Sequence, residues 1–280
     1  MVDVAAVVAA ACQRAVSEGS PIPGGDICRA WRVSLDDGQV AFAKTLTGVP
    51  DLFDAEARSL AWLADGGAPV PAVLGVRDDM LALDWLPAGA PSVAAAARLG
   101  RELAAVHASG ADRFGAPWPG FAGRLRLPNE PAADWAEFFA ATRLLPLVRQ
   151  AADGGALDSS QAGLLDRLGH RLADLGGPPE PPARLHGDLW SGNLLWTDER
   201  AWLIDPAAYG GHRETDLAML DLFGTPHLDR IVAAYAEVTP LADGWRDRIG
   251  LHQLHPLLAH AVMFGGGYGA RAAAVARRYA

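Results

Sequence analysis

Two stretches of β-type residues, Cys28 to Leu35 and Gln39 to Thr45, flank Asp36-Asp37-Gly38 near the start of the chain and predict a hairpin. Met80 to Leu86 alternates in part and predicts a further strand, which Pro87-Ala88-Gly89-Ala90-Pro91 then breaks. Between them, Leu52 to Ala64 has helical spacing. Beyond Ser92, an N-cap residue type, the pattern stays helical, with Leu99, Leu103 and Val106 on one stripe and Trp135, Phe138, Phe139, Leu145 and Val148 on another. Two short exceptions follow: Arg184 to His186, fed by the Pro-rich loop 178–182, and the apolar run Ala201 to Ile204, suited to a buried strand. The pattern predicts an α+β chain of two lobes, a small β-rich one over residues 1–86 and a larger, mainly helical one over 87–280, with the hinge at the Pro-Gly segment.

Composition narrows this. Of 280 residues, half are hydrophobic and 20% charged, as in an ordered protein able to bury a large core. A formal charge of −9 argues against nucleic acid or an anionic membrane as partner, so an anionic substrate needs local positive charge or a metal. The apolar run Val4 to Cys12 is too short to span a bilayer and lacks a preceding basic region; it reads as a helix against the core. Cys12 and Cys28 have no metal-ligand spacing and suit a reducing cytoplasm.

The strongest chemical signal is His186-Gly187-Asp188-Leu189-Trp190-Ser191-Gly192-Asn193, with Ile204-Asp205-Pro206 placing Asp205 twelve residues after Asn193. Phosphoryl transfer needs a carboxylate to orient or deprotonate the attacking hydroxyl and oxygen ligands for Mg2+. Asp188 fits the first role; Asn193 and Asp205 fit the second. Either aspartate alone would read as a loop or turn residue, but the set is hard to explain that way.

Lys44 closes a predicted strand, and Glu56 lies on a predicted helix with Phe53, Leu60 and Leu63 at offsets −3, +4 and +7, so its carboxylate shares the apolar face. A buried carboxylate needs a cation, and Lys44 is the candidate, in the arrangement that holds a kinase lysine against the α and β phosphates. Gly24-Gly25-Asp26 lies between probable strands and would let backbone N–H groups approach phosphate, although no full G-x-G-x-x-G is present. Asp216 begins a hydrophobic helix and, with His186, is a candidate to support the catalytic loop. His107, His252, His255 and His260 lie on or near apolar stripes and are read as structural, not metal-binding.

The His-Gly-Asp loop, with Asn five residues after the Asp, resembles the aminoglycoside, choline and homoserine kinase group of protein-kinase-like fold. More specifically, Leu185 to Asn193 with Ile204-Asp205-Pro206 looks like the fructosamine kinase (ketosamine-3-kinase) family. Gly24 to Ile27, Phe42-Ala43-Lys44, Asp134 to Phe139, Arg213 to Met219 and Phe264 to Tyr268 agree with it. The resemblance implies ATP and Mg2+ as cofactors, an adenine-binding hinge at Asp84, Trp85 and Leu86, and a small ketosamine phosphorylated on O3 as a step toward deglycation. It places the sugar between the catalytic loop, with Trp190, and helical segments around Trp135 and His260. Cys28 stands where the family carries Asn or Ser, Ala208 and Gly210 are smaller than its usual residues, and His252, His255 and Pro256 stand where it has aromatic or histidine residues, so the sugar pocket is the part open to change.

Three alternatives frame this expectation. Only ten residues separate Asp205 from Asp216, too few for the activation segment of a protein kinase, so the acceptor is a small group. An aminoglycoside-type or other sugar kinase is the second enzyme reading. A catalytically inactive pseudokinase predicts loss of at least one of Lys44, Glu56, Asp188, Asn193 and Asp205, and none is lost. Oligomeric state is not legible.

Overall fold

The computed structural model describes residues 8–10, 14–23 and 27–280. The glycine loop Gly24-Gly25-Asp26 lies outside them, as does most of the stretch from Val4 to Cys12, whose residues 8–10 are helical with Val8 fully buried.

Five antiparallel strands open the chain: β1 (Val16–Ile22), β2 (Arg29–Leu35), β3 (Val40–Thr45), β4 (Val73–Arg77) and β5 (Met80–Asp84), in the order β1-β2-β3-β5-β4. The predicted hairpin joins β2 to β3, with Gly38 at φ 84° in the left-handed region that a turn of this kind demands. Lys44 is central in the sheet, paired with Ala30 on one side and Leu81 on the other. Because successive strand residues face opposite ways, Ala41 and Ala43 pack with Val33, Met80 and Val8, while Phe42 and Lys44 face helix α1 (Leu52–Asp65). That helix buries Phe53, Glu56, Leu60 and Leu63 on one face, as its spacing predicts.

Residues 85–92 form no regular structure and lead into α2 (Val93–Ala108), where the Ser92 hydroxyl accepts from the Ala95 amide at 3.1 Å. A short hairpin, β6 (Gly120–Ala122) and β7 (Leu125–Leu127), precedes α3 (Trp135–Phe138). A π-helical stretch, Phe139–Leu144, then runs into α4 (Leu145–Asp153). Each i→i+5 bond accommodates an extra residue per turn, so the apolar stripe rotates. Leu144 and Leu147 are therefore buried while Leu145, expected on the stripe, is only part-buried.

Helices α5 (Ser159–Gly169) and α6 (Leu172–Leu175) are followed by β8 (Ala183–Leu185), β9 (Leu194–Trp196), β10 (Ala201–Leu203) and β11 (Tyr209–Gly211). These pair as β9–β10 and β8–β11. The chain ends in α7 (Glu214–Leu222), α8 (Leu228–Val238), the long α9 (Trp245–Phe264) and α10 (Tyr268–Ala276). Two apolar cores hold this helical part: one around α9, α4 and Phe138, the other between α2, α8 and the β9–β10 hairpin. No helix among the described residues is long and apolar enough to cross a membrane.

Candidate active site

A cavity of about 1140 Å3 lies where the sheet and α1 meet the β8–β11 loops, the β6–β7 hairpin and α9. At its sheet end the Lys44 ammonium contacts Glu56 Oε1 at 2.6 Å and Asp205 Oδ1 at 2.8 Å. Burial works to lower the Lys44 pKa, but Asp205 and Glu56 override it and hold the amine above the ordinary lysine value. One ammonium thus faces two carboxylates. Burial pushes the Glu56 carboxyl up to about 7, with Lys44 opposing.

The loop after β8 is locked by backbone geometry. Gly187 has φ 84°, and a Cβ there would lie 2.2 Å from the Ala207 carbonyl oxygen, so only glycine fits. His186 is fully buried and bridges the two loops of the site. Its Nε2 donates to the Ile204 carbonyl at 3.0 Å and its Nδ1 accepts from the Asp188 amide at 3.3 Å. Those partners fix a neutral tautomer, in keeping with burial holding its pKa low. Backbone bonds from Ile204 to Asn193 and from Ala207 to His186 complete the zipper.

Asp216 anchors the same loop from α7. Its carboxylate accepts from the His186 and Gly187 amides at 2.7 and 3.0 Å and from His107 Nε2 at 3.2 Å. Burial would raise its pKa, yet His107 and these other partners hold it below the usual carboxylate value. His107 Nδ1 in turn meets the Tyr235 hydroxyl at 2.9 Å, which ties the loop to α2 and α8.

Asp188 lines the cavity and is part-buried; desolvation pushes its carboxyl up to about 7, against the Asn193 amide. The Asn193 Nδ2 donates to the Asp188 carbonyl at 2.8 Å and to Asp188 Oδ2 at 3.0 Å, so the amide spends its donors there and keeps Oδ1 as an acceptor. Asp205 is in the left-handed region at φ 55°, a conformation aspartate tolerates, with its side chain half exposed to the cavity. Asn193 and Asp205 both line the cavity, and their oxygens are hard donors of the kind that suits Mg2+.

The other expected site residues divide. Trp190 and His260 line the cavity with Asp188. Trp135 does not: it is 7% exposed and packs on Phe139, His212 and His252, because the first turn of α3 turns its indole into the core. Asp84, Trp85 and Leu86 stand beyond the cavity's lining, and the Trp85 indole lies under Arg32 at 5.5 Å. Cys28 lines the cavity near Lys44, and burial pushes its thiol up, away from the reactive thiolate.

Several lining residues carried no functional signal in the sequence. The β6–β7 hairpin is too short to show a period, yet Gly120 to Gly123 form one wall. Ser59 donates to the Ala55 carbonyl and accepts from the Ala208 amide at 3.2 Å, which ties α1 to the Asp205 loop. Phe223 and Met263 lie just outside the quoted segments; Phe264 and Tyr268 stood only as parts of a resemblance.

A five-stranded lobe, a helical lobe and a lysine–carboxylate pair facing an Asp/Asn loop define a two-lobed protein-kinase-like fold. Solved structures of low identity carry the same fold, among them the streptomycin–ATP complex of the phosphotransferase APH(2")-IIa, with a TM-score of 0.67 at 12% identity over 99% of this chain and 96% of its own. Within that class the chain belongs to the fructosamine kinase family, whose profile matches residues 1–279. It is similar to a Thermus thermophilus protein assigned as a ketoamine kinase, 36% identical over 89% of this chain and 88% of the relative. It is also similar to a Thermobifida fusca crystal structure assigned as a fructosamine-3-kinase, with a TM-score of 0.94 and 48% identity over 99% of this chain and 98% of that one.

Proposed function

We propose that this protein transfers the γ-phosphoryl group of ATP to the 3-hydroxyl of a small ketosamine, a reaction of cytoplasmic deglycation. The observation that carries it is the joining of Lys44, Glu56 and Asp205 by contacts of 2.6 and 2.8 Å in the same cavity as Asp188 and Asn193. Family membership supports the acceptor class.

In this reading Lys44, braced by Glu56, holds the α and β phosphates, Gly24 and Gly25 contribute backbone N–H groups to them, and Asp84 to Leu86 take the adenine. Asn193 Oδ1 and the Asp205 carboxylate would hold Mg2+, which when bound neutralises phosphate charge. Asp188 accepts the proton of the attacking hydroxyl as its oxygen bonds to the γ-phosphorus and the bond to the ADP oxygen breaks. Asp216 and His186 keep the loop from moving while this happens. A phosphate on C3, next to the carbonyl carbon of the open-chain sugar, is then a good leaving group, and its elimination leads to release of the amine.

Incubation with ATP, Mg2+ and a fructosyl-lysine or ribulosyl-lysine analogue, followed by phosphorus and carbon NMR, is expected to place the new phosphate on C3. The Asp188→Asn variant is expected to bind MgATP and lose about 10^2 to 10^4 in rate. Phosphate at another carbon, or turnover of an aminoglycoside or free sugar in place of the ketosamine, would refute the acceptor assignment.

A further inference from the structure

The half of the cavity away from Lys44 contains a feature that phosphoryl transfer does not use. Trp190, two residues after Asp188, meets Phe223 edge-on with ring centroids 5.9 Å apart. Phe223 lies 5.4 Å from His260, and His260 lies 5.6 Å from Phe264 and 5.0 Å from Tyr268. All five line the cavity, so a connected arc of rings runs outward from the catalytic loop.

Three observations show that the arc is built for a ligand. Phe223 and Phe264, 37% and 54% exposed, are the only exposed Phe, Tyr or Trp side chains among the described residues, and both stand here. The carboxylates in the lining, Glu56, Asp188 and Asp205, belong to the catalytic set, so the arc itself carries no acid. His260 Nδ1 donates to the Pro256 carbonyl at 2.7 Å, so in the neutral ring Nε2 is a lone-pair acceptor, with no partner among the described residues. A ring surface with one acceptor nitrogen at its centre suits an ammonium bearing an apolar substituent: the rings attract the charge through their faces, and the nitrogen takes the N–H.

Resting on the proposed function, we infer that this arc is the subsite for the amine half of the acceptor. His260 Nε2 accepts from the secondary ammonium, and Phe223, Phe264 and Tyr268 pack on its substituent. The preferred acceptors are then ketosamines of apolar or aromatic amines, not of acidic ones. Trp190 stands over the junction with the sugar, held there by Gly192, where a Cβ would fall 2.2 Å from the indole ring.

The test compares two ketosamines of the same sugar, one made from benzylamine and one from methylamine. Unmodified protein is expected to prefer the benzyl compound about two- to tenfold in kcat/KM through KM, and Phe223→Ala and Phe264→Ala to bring that preference toward one. His260→Phe, which keeps a ring and loses the acceptor, should raise KM about tenfold or more for both compounds; His260→Gln, which keeps an acceptor, should restore much of it. Direct titration of benzylammonium and methylammonium, followed by NMR, needs no turnover and separates the two readings. Tighter benzylammonium binding that the Phe variants abolish, without ketosamine turnover, would keep the subsite and refute the proposed reaction. Absence of any benzyl preference, or its survival in both Phe variants, would overturn the subsite.

Discussion

Lys44 and Glu56 contact one another at 2.6 Å, both nearly buried, and Lys44 is the cation that Glu56 contacts, while Lys44 also meets the half-exposed Asp205 at 2.8 Å. Removing Lys44 leaves Glu56 buried without its cation, and removing Glu56 leaves Lys44 with the half-exposed Asp205 as its remaining carboxylate. Lys44→Met and Glu56→Gln should therefore weaken MgATP binding through one shared interaction. A double-mutant cycle read by nucleotide titration is expected to show a coupling of roughly 1 kcal/mol or more. A double variant whose cost equals the sum of the singles would mean that Glu56 acts on the nucleotide without acting on Lys44. This pair was legible in the sequence because two independent patterns, a strand end and a helix face, each left one charged residue pointing inward. Trp135 was misread for the converse reason: an aromatic residue in a segment resembling the family's carries no sign of which way its indole turns, and here it joins His212 and His252 in the core.

At the scale of elements, long periodic stretches were legible and short or irregular ones were not. The sheet hairpin, α1 and α2 follow from their spacing, whereas the β6–β7 hairpin has three residues in each strand and no period to read. The π-helical stretch defeats the pattern in another way, since a change from 3.6 residues per turn shifts which residues face inward. The packing of α2 on α8 was hidden too, because it rests on an absent side chain. A Cβ on Gly100 would lie 2.2 Å from the Ile231 carbonyl oxygen and 2.9 Å from the Tyr235 amide nitrogen, backbone atoms that cannot swing aside. Helix propensity favours Gly100→Ala by about 1 kcal/mol, but parting the two helices costs about 1–3 kcal/mol and prevails. Gly163 in α5 supplies the control, since its Cβ would meet only the flexible end of Arg167 at 3.4 Å. Thermal unfolding should show Gly100→Ala lowered by a few degrees and Gly163→Ala unchanged or raised. Equal behaviour of the two variants would remove the close-packing account.

The whole molecule carries a further consequence of burying so many titratable groups. His186, His212, His252 and His255 are all held below the ordinary histidine value, first by burial, with His212 and His255 lowered to about 3. His212 faces Glu180, Glu214, His252, Arg213 and Arg248, and there burial outweighs the carboxylates; His255 faces Arg143 and His260, whose charges add to the effect of burial. Between pH 4.5 and 6.5 the unfolded chain takes up protons on His212 and His255 and the folded chain does not, and the lowered His186 and His252 act in the same direction, so these imidazoles make stability rise with pH across that window. Asp188 and Glu56 work the other way, since carboxyls raised to about 7 stay protonated in the folded state when the unfolded chain has released them. His212 and His255 offset the two carboxyls, and the lowered His186 and His252 tip the balance toward more protons on the unfolded chain. Urea midpoints measured at pH 7, 6 and 5 should therefore fall on acidification, and His212→Gln and His255→Gln, which cannot protonate, should each flatten the fall. A midpoint that held steady or rose from pH 7 to 5 would mean that the buried carboxyls, not the histidines, govern the acid response of this fold.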